Sequence, residues 1–110
     1  MYEITVGVCC YKQKEWLHRC LRSLSNQTLD KSKFEVVVVN DDPEEKLEDI
    51  TKIFKNNINI RLINNHKNYG LPTSLNKILK TSMSKFFIRV DCGFYIYKVA
   101  FLNDIFCIFC

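Results

Sequence analysis

Phe34-Glu-Val-Val-Val-Val-Asn-Asp-Asp-Pro43 is the stretch from which the fold class follows. Val36 to Val39 are four consecutive β-branched residues. Such side chains are stiff at χ1 and favour an extended backbone. An apolar run without polar alternation predicts a strand buried on both faces, inside a sheet covered by helices on both sides. The run ends abruptly in Asn40, Asp41, Asp42 and Pro43. A buried parallel strand that delivers carboxylates at its C-terminal end has the geometry of a ligand site in an open α/β sheet. The next residues predict a helix start: Asp42 as the cap, Pro43 at the first helical position and Glu45 completing a capping box.

The rest of the chain extends this pattern in both directions. Upstream, residues 4–9 are rich in β-branched side chains and predict a first strand. From Glu15 to Ser25, Trp16, Leu17, Cys20, Leu21 and Leu24 recur at helical spacing. His18, Arg19 and Arg22 fall on the other face, where His18 is a solvated surface histidine. Downstream, Leu47, Ile50, Ile53 and Phe54 form the inward stripe of a second helix, ended by Asn56 and Asn57. Residues 58–63 alternate and predict a third strand at an edge. Residues 72–82 predict a third helix with Leu75, Ile78 and Leu79 facing in, and residues 86–90 a fourth strand ending at Asp91. The order β-α-β-α-β-α-β means an α/β fold, a mostly parallel sheet with flanking helices and right-handed crossovers.

Composition narrows the function classes. A chain of 110 residues with 47% hydrophobic and 25% charged residues is sized for one soluble domain. The net charge of +4 is spread without a dense basic block, which argues against nucleic-acid binding. Acids cluster between Asp41 and Asp49, and for all but Asp41 an acidic helix start accounts for them. Met1-Tyr2-Glu3 leads straight into a strand with no secretory signal, so the six cysteines are expected as thiols in a reducing cytoplasm. Cys107-x-x-Cys110 lacks two further ligands at zinc spacing. No run reaches the roughly 18 apolar residues of a membrane span. The apolar tail at residues 99–110 marks a surface for self-association.

Four polar points sit at the strand ends: Tyr11, Asp41, Asn68 and Asp91. The chain has no Gly-x-Gly-x-x-Gly after the first strand and no Gly-Lys-Ser/Thr, which excludes the dinucleotide fingerprint and the P-loop. Five pieces, in register between residues 4 and 93, resemble the family 2 glycosyltransferases of the GT-A fold. Ile4-Thr-Val-Gly-Val-Cys-Cys-Tyr-Lys looks like the opening strand and its loop. Trp16-Leu-His-Arg-Cys-Leu-Arg-Ser-Leu-Ser-Asn-Gln-Thr is similar to the first helix and its Ser-x-x-x-Gln-Thr ending. Phe34-Glu-Val-Val-Val-Val-Asn-Asp is similar to the strand that ends in Asp-Asp. Asn68-Tyr-Gly-Leu-Pro-Thr-Ser-Leu-Asn-Lys resembles the Asn-x-Gly-Leu-x-x-Ser-x-Asn segment, and Phe87-Ile-Arg-Val-Asp-Cys-Gly the strand carrying Asp-x-Asp.

The resemblance implies a GT-A, Rossmann-like nucleotide-binding half that takes a UDP- or GDP-linked sugar, with Mg²⁺ or Mn²⁺ neutralising the diphosphate leaving group. It implies that Asp41 contacts the nucleobase and Tyr11 lies near the base. Asn68 and Gly70 belong to the loop that approaches the donor, with Gly70 supplying a backbone angle other residues resist. Arg89 matches the basic residue before the acidic motif, and Asp91 matches the first Asp of that motif, near ribose, donor sugar or metal. Asn40 stands where the family has the first Asp of its pair, and Cys9 and Cys10 stand for its Pro-Thr. Gly93 replaces the second Asp, so the metal site loses an oxygen ligand. The family pattern continues past Cys110 into an acceptor-binding half with the catalytic base. The expectation is therefore a truncated donor-binding unit at residues 1–93, followed by an atypical tail at 94–110, inactive alone. A frameshift after Asp91 would explain the loss of pattern. The setting implied is cell-envelope polysaccharide synthesis in the cytoplasm, at the inner face of the membrane. Two other readings stay open: a non-catalytic nucleotide-binding remnant, and a flavodoxin-like binding domain.

Overall fold

Strand β2, Phe34–Asn40, is buried at every position, as the unbroken valine run predicts. It lies inside a four-stranded sheet of order β3-β2-β1-β4, with β1 at Ile4–Cys10, β3 at Asn59–Asn64 and β4 at Phe86–Asp91. The computed structural model describes residues 2–91, and the expectations for the 94–110 tail fall outside them. All three strand pairings are parallel: Ile4 is opposite both Phe34 and Phe86, and Val36 is opposite Ile60. Alternating burial along β3 fits its place at an edge. The fold is thus α/β with an all-parallel sheet among the described residues.

The helices divide between the two faces. Helix α1 (Lys14–Ser25) and helix α2 (Glu48–Phe54) pack Leu17, Cys20, Leu21, Leu24, Leu47, Ile50 and Phe54 against Val36 and Val38. Helix α3 (Leu71–Thr81) lays Ile78 on Val37 and Val39 on the other face. The valines therefore serve two cores by turns, and each buried side chain of this size is worth about 1.5–3 kcal/mol. Gly7 leaves no room on the α3 face: a Cβ there would stand 2.7 Å from the Phe87 ring and 3.1 Å from Ile78.

Four local expectations are corrected. The second helix begins at Glu48, not at Pro43. Asp42 does not cap it. Its Oδ1 accepts the Glu44 N–H at 3.0 Å and its carbonyl accepts the Glu45 N–H, which closes a turn. Asn40 holds the same turn, accepting from Asp42 N–H at 3.0 Å and donating to the Glu45 carbonyl at 2.7 Å. Short polar side chains have here outcompeted the helix for backbone partners. Trp16, Ile53 and Leu79 were expected inward and are exposed. Each lies one position out of phase with the stripe that is buried, and Arg19 covers Trp16 at 5.0 Å from the ring. His18 is half-buried rather than solvated, its ring edge-on to Phe54 at 5.4 Å.

At the N-terminal end of the sheet, Glu35 is buried on the α3 face. Arg61 answers it at 3.0 and 3.3 Å, and Thr5 donates a third bond at 3.0 Å. Ser82 and Ser84 in turn hold Thr5.

Candidate functional site

The chain runs outward from β1 to β2 to β3, and α3 then carries it back so that β4 lands on the free side of β1. In open α/β sheets such a reversal of strand order places a ligand crevice at the C-terminal ends of the strands on either side of it, here β1 and β4. A cleft of about 220 Å³ lies there, lined by Cys9, Cys10, Tyr11, Gln13, Asp41, Leu71, Ser74, Arg89 and Val90. It draws on the ends of β1, β2 and β4 and on the first turn of α3.

Asp41 is the only carboxylate among the described lining residues. It is 5% exposed, and its backbone N–H bonds the Cys10 carbonyl at 2.9 Å, which fixes the side chain just past β2. Its Oδ1 accepts from the Asn65 amide and the Tyr69 N–H, each at 2.8 Å. Its Oδ2 accepts the Gly70 N–H at 2.9 Å. Asp41 thus anchors the loop between β3 and α3 from below. Gly70 has φ of 90°, left-handed territory that penalises a Cβ, as the sequence implied. Its N–H also lies 3.2 Å from the Asn68 Oδ1, so Asn68 shapes the loop but does not line the cleft.

Tyr11 stands at the mouth, 41% exposed, with the Lys12 ammonium 5.3 Å from its ring. That exposure removes core packing as its role. Lys12 has φ of 55°, which turns the chain sharply between β1 and α1. Arg89 reaches the cleft from β4, opposite Gly7 in the register. Asp91 closes β4 opposite Cys9. The cleft therefore gathers Tyr11, Asp41 and Arg89, with Gly70 bonded to Asp41 from the loop. Glu48 flanks the β3 end. Its own backbone N–H and the Asn64 amide, at 3.0 Å, hold its carboxyl below the usual range.

Asn65 was not anticipated, and Ser74 was matched only as the serine of the Asn-x-Gly-Leu-x-x-Ser-x-Asn segment, with no role. Both are buried, and the Asn65 amide bridges Asp41 and the Ser74 hydroxyl. The signal was available: Asn65 is the first residue past β3 and bonds the Asn40 carbonyl at 2.9 Å, the position on β3 that Asp41 occupies on β2.

The sequence profile of glycosyl transferase family 2 matches residues 5–97. The chain belongs to glycosyl transferase family 2. A poly(ribitol-phosphate) β-N-acetylglucosaminyltransferase, TarS, from Staphylococcus aureus is 31% identical to this family 2 chain over 99 residues, 89% of the chain and 17% of TarS. An uncharacterized glycosyltransferase of Haemophilus influenzae is 33% identical over 92 residues, 80% of the chain and 27% of that relative. The chain thus spans well under a third of these relatives. The crystal structure of S. aureus TarS 1–349 in complex with UDP matches with a TM-score of 0.83 at 30% identity, over 94% of this chain and 30% of that one. A mannosyltransferase from Pyrobaculum calidifontis, in complex with GDP-Man and Mn²⁺, matches at 19% identity with a TM-score of 0.75 and so shares the fold. Divalent metal use is consistent with the family, whose acidic motif is matched here from Asp91 onward, at the edge of the described residues. Those residues contain no group of three His, Cys, Asp or Glu side chains that could hold a cation, and the Asp41 oxygens already face N–H donors.

Proposed function

We propose that this chain is the donor-binding unit of a glycosyltransferase that takes a UDP- or GDP-linked sugar. The supporting observation is the convergence of Tyr11, Asp41 and Arg89 on one cleft at the reversal of strand order. In this reading the Tyr11 ring supports the base and the free acceptor position on Asp41 takes a base N–H. The Arg89 guanidinium faces the diphosphate, where a fixed cation favours the charge of the leaving group. Gly70 and Asn68 set the loop that approaches the donor, and the family match assigns Asp91 to the ribose or the donor sugar. Residues 1–93 form the unit and residues 94–110 a tail through which copies self-associate. Two relatives are named as poly(ribitol-phosphate) transferases, which supports a polymer acceptor. Among the described residues no helix is long and apolar enough to cross a membrane. The cysteine-rich sequence suits a reducing cytoplasm, with work at the inner face of the membrane.

Gly93 in place of a carboxylate favours a second reading, nucleotide binding without transfer. Mg²⁺ or Mn²⁺ then adds little, and these 110 residues alone turn over no sugar. A thermal-shift titration with UDP, UDP-GlcNAc, GDP and GDP-mannose, with and without Mn²⁺, tests both. A ligand at about a hundred times its Kd stabilises by about 2.7 kcal/mol, a shift readily seen. Stabilisation by a nucleotide that is indifferent to metal is expected. No response to any nucleotide would overturn the proposal. A response that requires Mn²⁺ would overturn the metal-independent part.

A further inference from the structure

An ionised carboxylate offers about four acceptor positions, two on each oxygen. In Asp41 three are filled. Asn65 Nδ2 and the Tyr69 N–H occupy both positions on Oδ1, and the Gly70 N–H occupies one on Oδ2. Among the described residues no other donor reaches it, so one position remains, on Oδ2.

Two of the three donors are backbone groups, present whatever the side chains. The third is the Asn65 amide, and residue 65 therefore sets the count. Its orientation is imposed. Lys77 Nζ lies 2.6 Å from Asn65 Oδ1. An ammonium only donates, so the amide oxygen must face Lys77 and the amide nitrogen must face Asp41 and Ser74. Asn65 is 2% exposed and has no room to turn toward water.

Nucleobases differ in how many donors their pairing edge presents. Uracil has a single N–H, at N3. Guanine has two side by side, the N1–H and the 2-amino group. A carboxylate satisfies both donors of guanine only by offering one position on each oxygen. Asp41 does not, because Asn65 has saturated Oδ1. We propose that Asn65 is a specificity-determining residue: by filling Oδ1 of Asp41 it leaves one acceptor, which suits uridine diphosphate and strands the second donor of guanine. This rests on the reading of Asp41 as the base contact. Asn65 itself touches no ligand and acts through Asp41.

The test is equilibrium competition by UDP, GDP and IDP on the full 110-residue chain. Inosine diphosphate differs from GDP only by lacking the 2-amino group. In the wild type, an unpaired donor in a cleft costs about a factor of ten, so UDP should bind about tenfold tighter than GDP, and GDP no tighter than IDP. Asn65→Ala and Asn65→Leu free one position on Oδ1. In either variant, GDP should then gain about tenfold on IDP, the worth of one restored bond. A purely structural role would weaken all three nucleotides alike and leave that ratio unmoved. An unmoved ratio in a variant that is folded by circular dichroism overturns the inference. So does a wild type that binds GDP tighter than IDP, a result that stands even where neither variant folds. Asp41→Asn separates the two levels. If UDP affinity is unchanged by it, the base contact itself is wrong. If UDP weakens while the GDP-to-IDP ratio ignores Asn65, only the role of Asn65 falls.

Discussion

Glu35 and Asp41 are both buried carboxylates, at opposite ends of one strand and on the same face of the sheet. Their partners differ in kind. Glu35 meets a guanidinium and a hydroxyl, and Arg61 cancels its charge at 3.0 Å. Asp41 meets an amide and two backbone N–H groups, which satisfy it without cancelling it. A cancelled charge is finished with, and serves only to tie β1, β2 and β3 together. A charge that is solvated by dipoles keeps its field, and here it also keeps one open acceptor beside a cleft. Burial and residue type therefore do not separate a structural acid from a site acid, whereas the chemistry of the donors does.

The largest expected effect comes from breaking the dipole-solvated end. Asp41→Ala orphans a buried amide and two backbone donors and should cost about 3–5 kcal/mol in urea unfolding. A loss below about 1 kcal/mol would mean that water replaces the carboxylate and that it is no anchor. Glu35→Ala comes next. Arg61 is 43% exposed and can turn to water, so a loss of only about 1–2 kcal/mol is expected. UDP affinity should stay within about twofold, because the two ends are far enough apart to act independently. A larger drop in affinity would show that the ends communicate, and the contrast would fail. The smallest effect is at a third acid, outside the core. Asp49 on α2 is held below the usual carboxylate range, mainly by its hydrogen bond from Lys14 at 3.2 Å. A depressed folded-state value means that the contribution is present above the ordinary aspartate pKa. It is lost as pH falls through the folded value. Lys14→Ala should raise the Asp49 midpoint toward the ordinary value in a carboxyl NMR titration. An unmoved midpoint would take Lys14 out of the account.

The two cores and the succession of strands and helices along the chain were largely legible because period and burial depend on local pattern. An unbroken run of valine leaves little choice but a doubly covered strand, and β3 alternates because one of its faces is wet. Helix boundaries were less legible. The turn at residues 42–45 is held by Asn40 and Asp42, whose side chains satisfy backbone groups that a capping box would also have satisfied. Sequence spacing does not distinguish those two solutions. Within the site, Asp41 and Tyr11 could be named because each follows a strand, and Arg89 because it matches the basic residue before the family's acidic motif. Asn65 follows one too, but its role lies in a bridge to Asp41 and Ser74 from distant segments. Such a bridge exists only once α3 is seated. Asn68 drew attention by its motif and works within its own loop.

The return of the chain across the sheet has a consequence for the order of assembly. Strands β1, β2 and β3 are neighbours in sequence as well as in space, so each can add to the last over a short closure. Strand β4 must instead find β1, with Phe86 beside Ile4, the longest-range pairing in the sheet. Closures over long separations are slow, because their entropy is spent before contacts repay it. On a ribosome, where the N-terminal strands emerge first, Asp41 would be in place before Arg89 has been made. The cleft would then be the last part of the sheet to exist, and the first to vanish when β4 lets go.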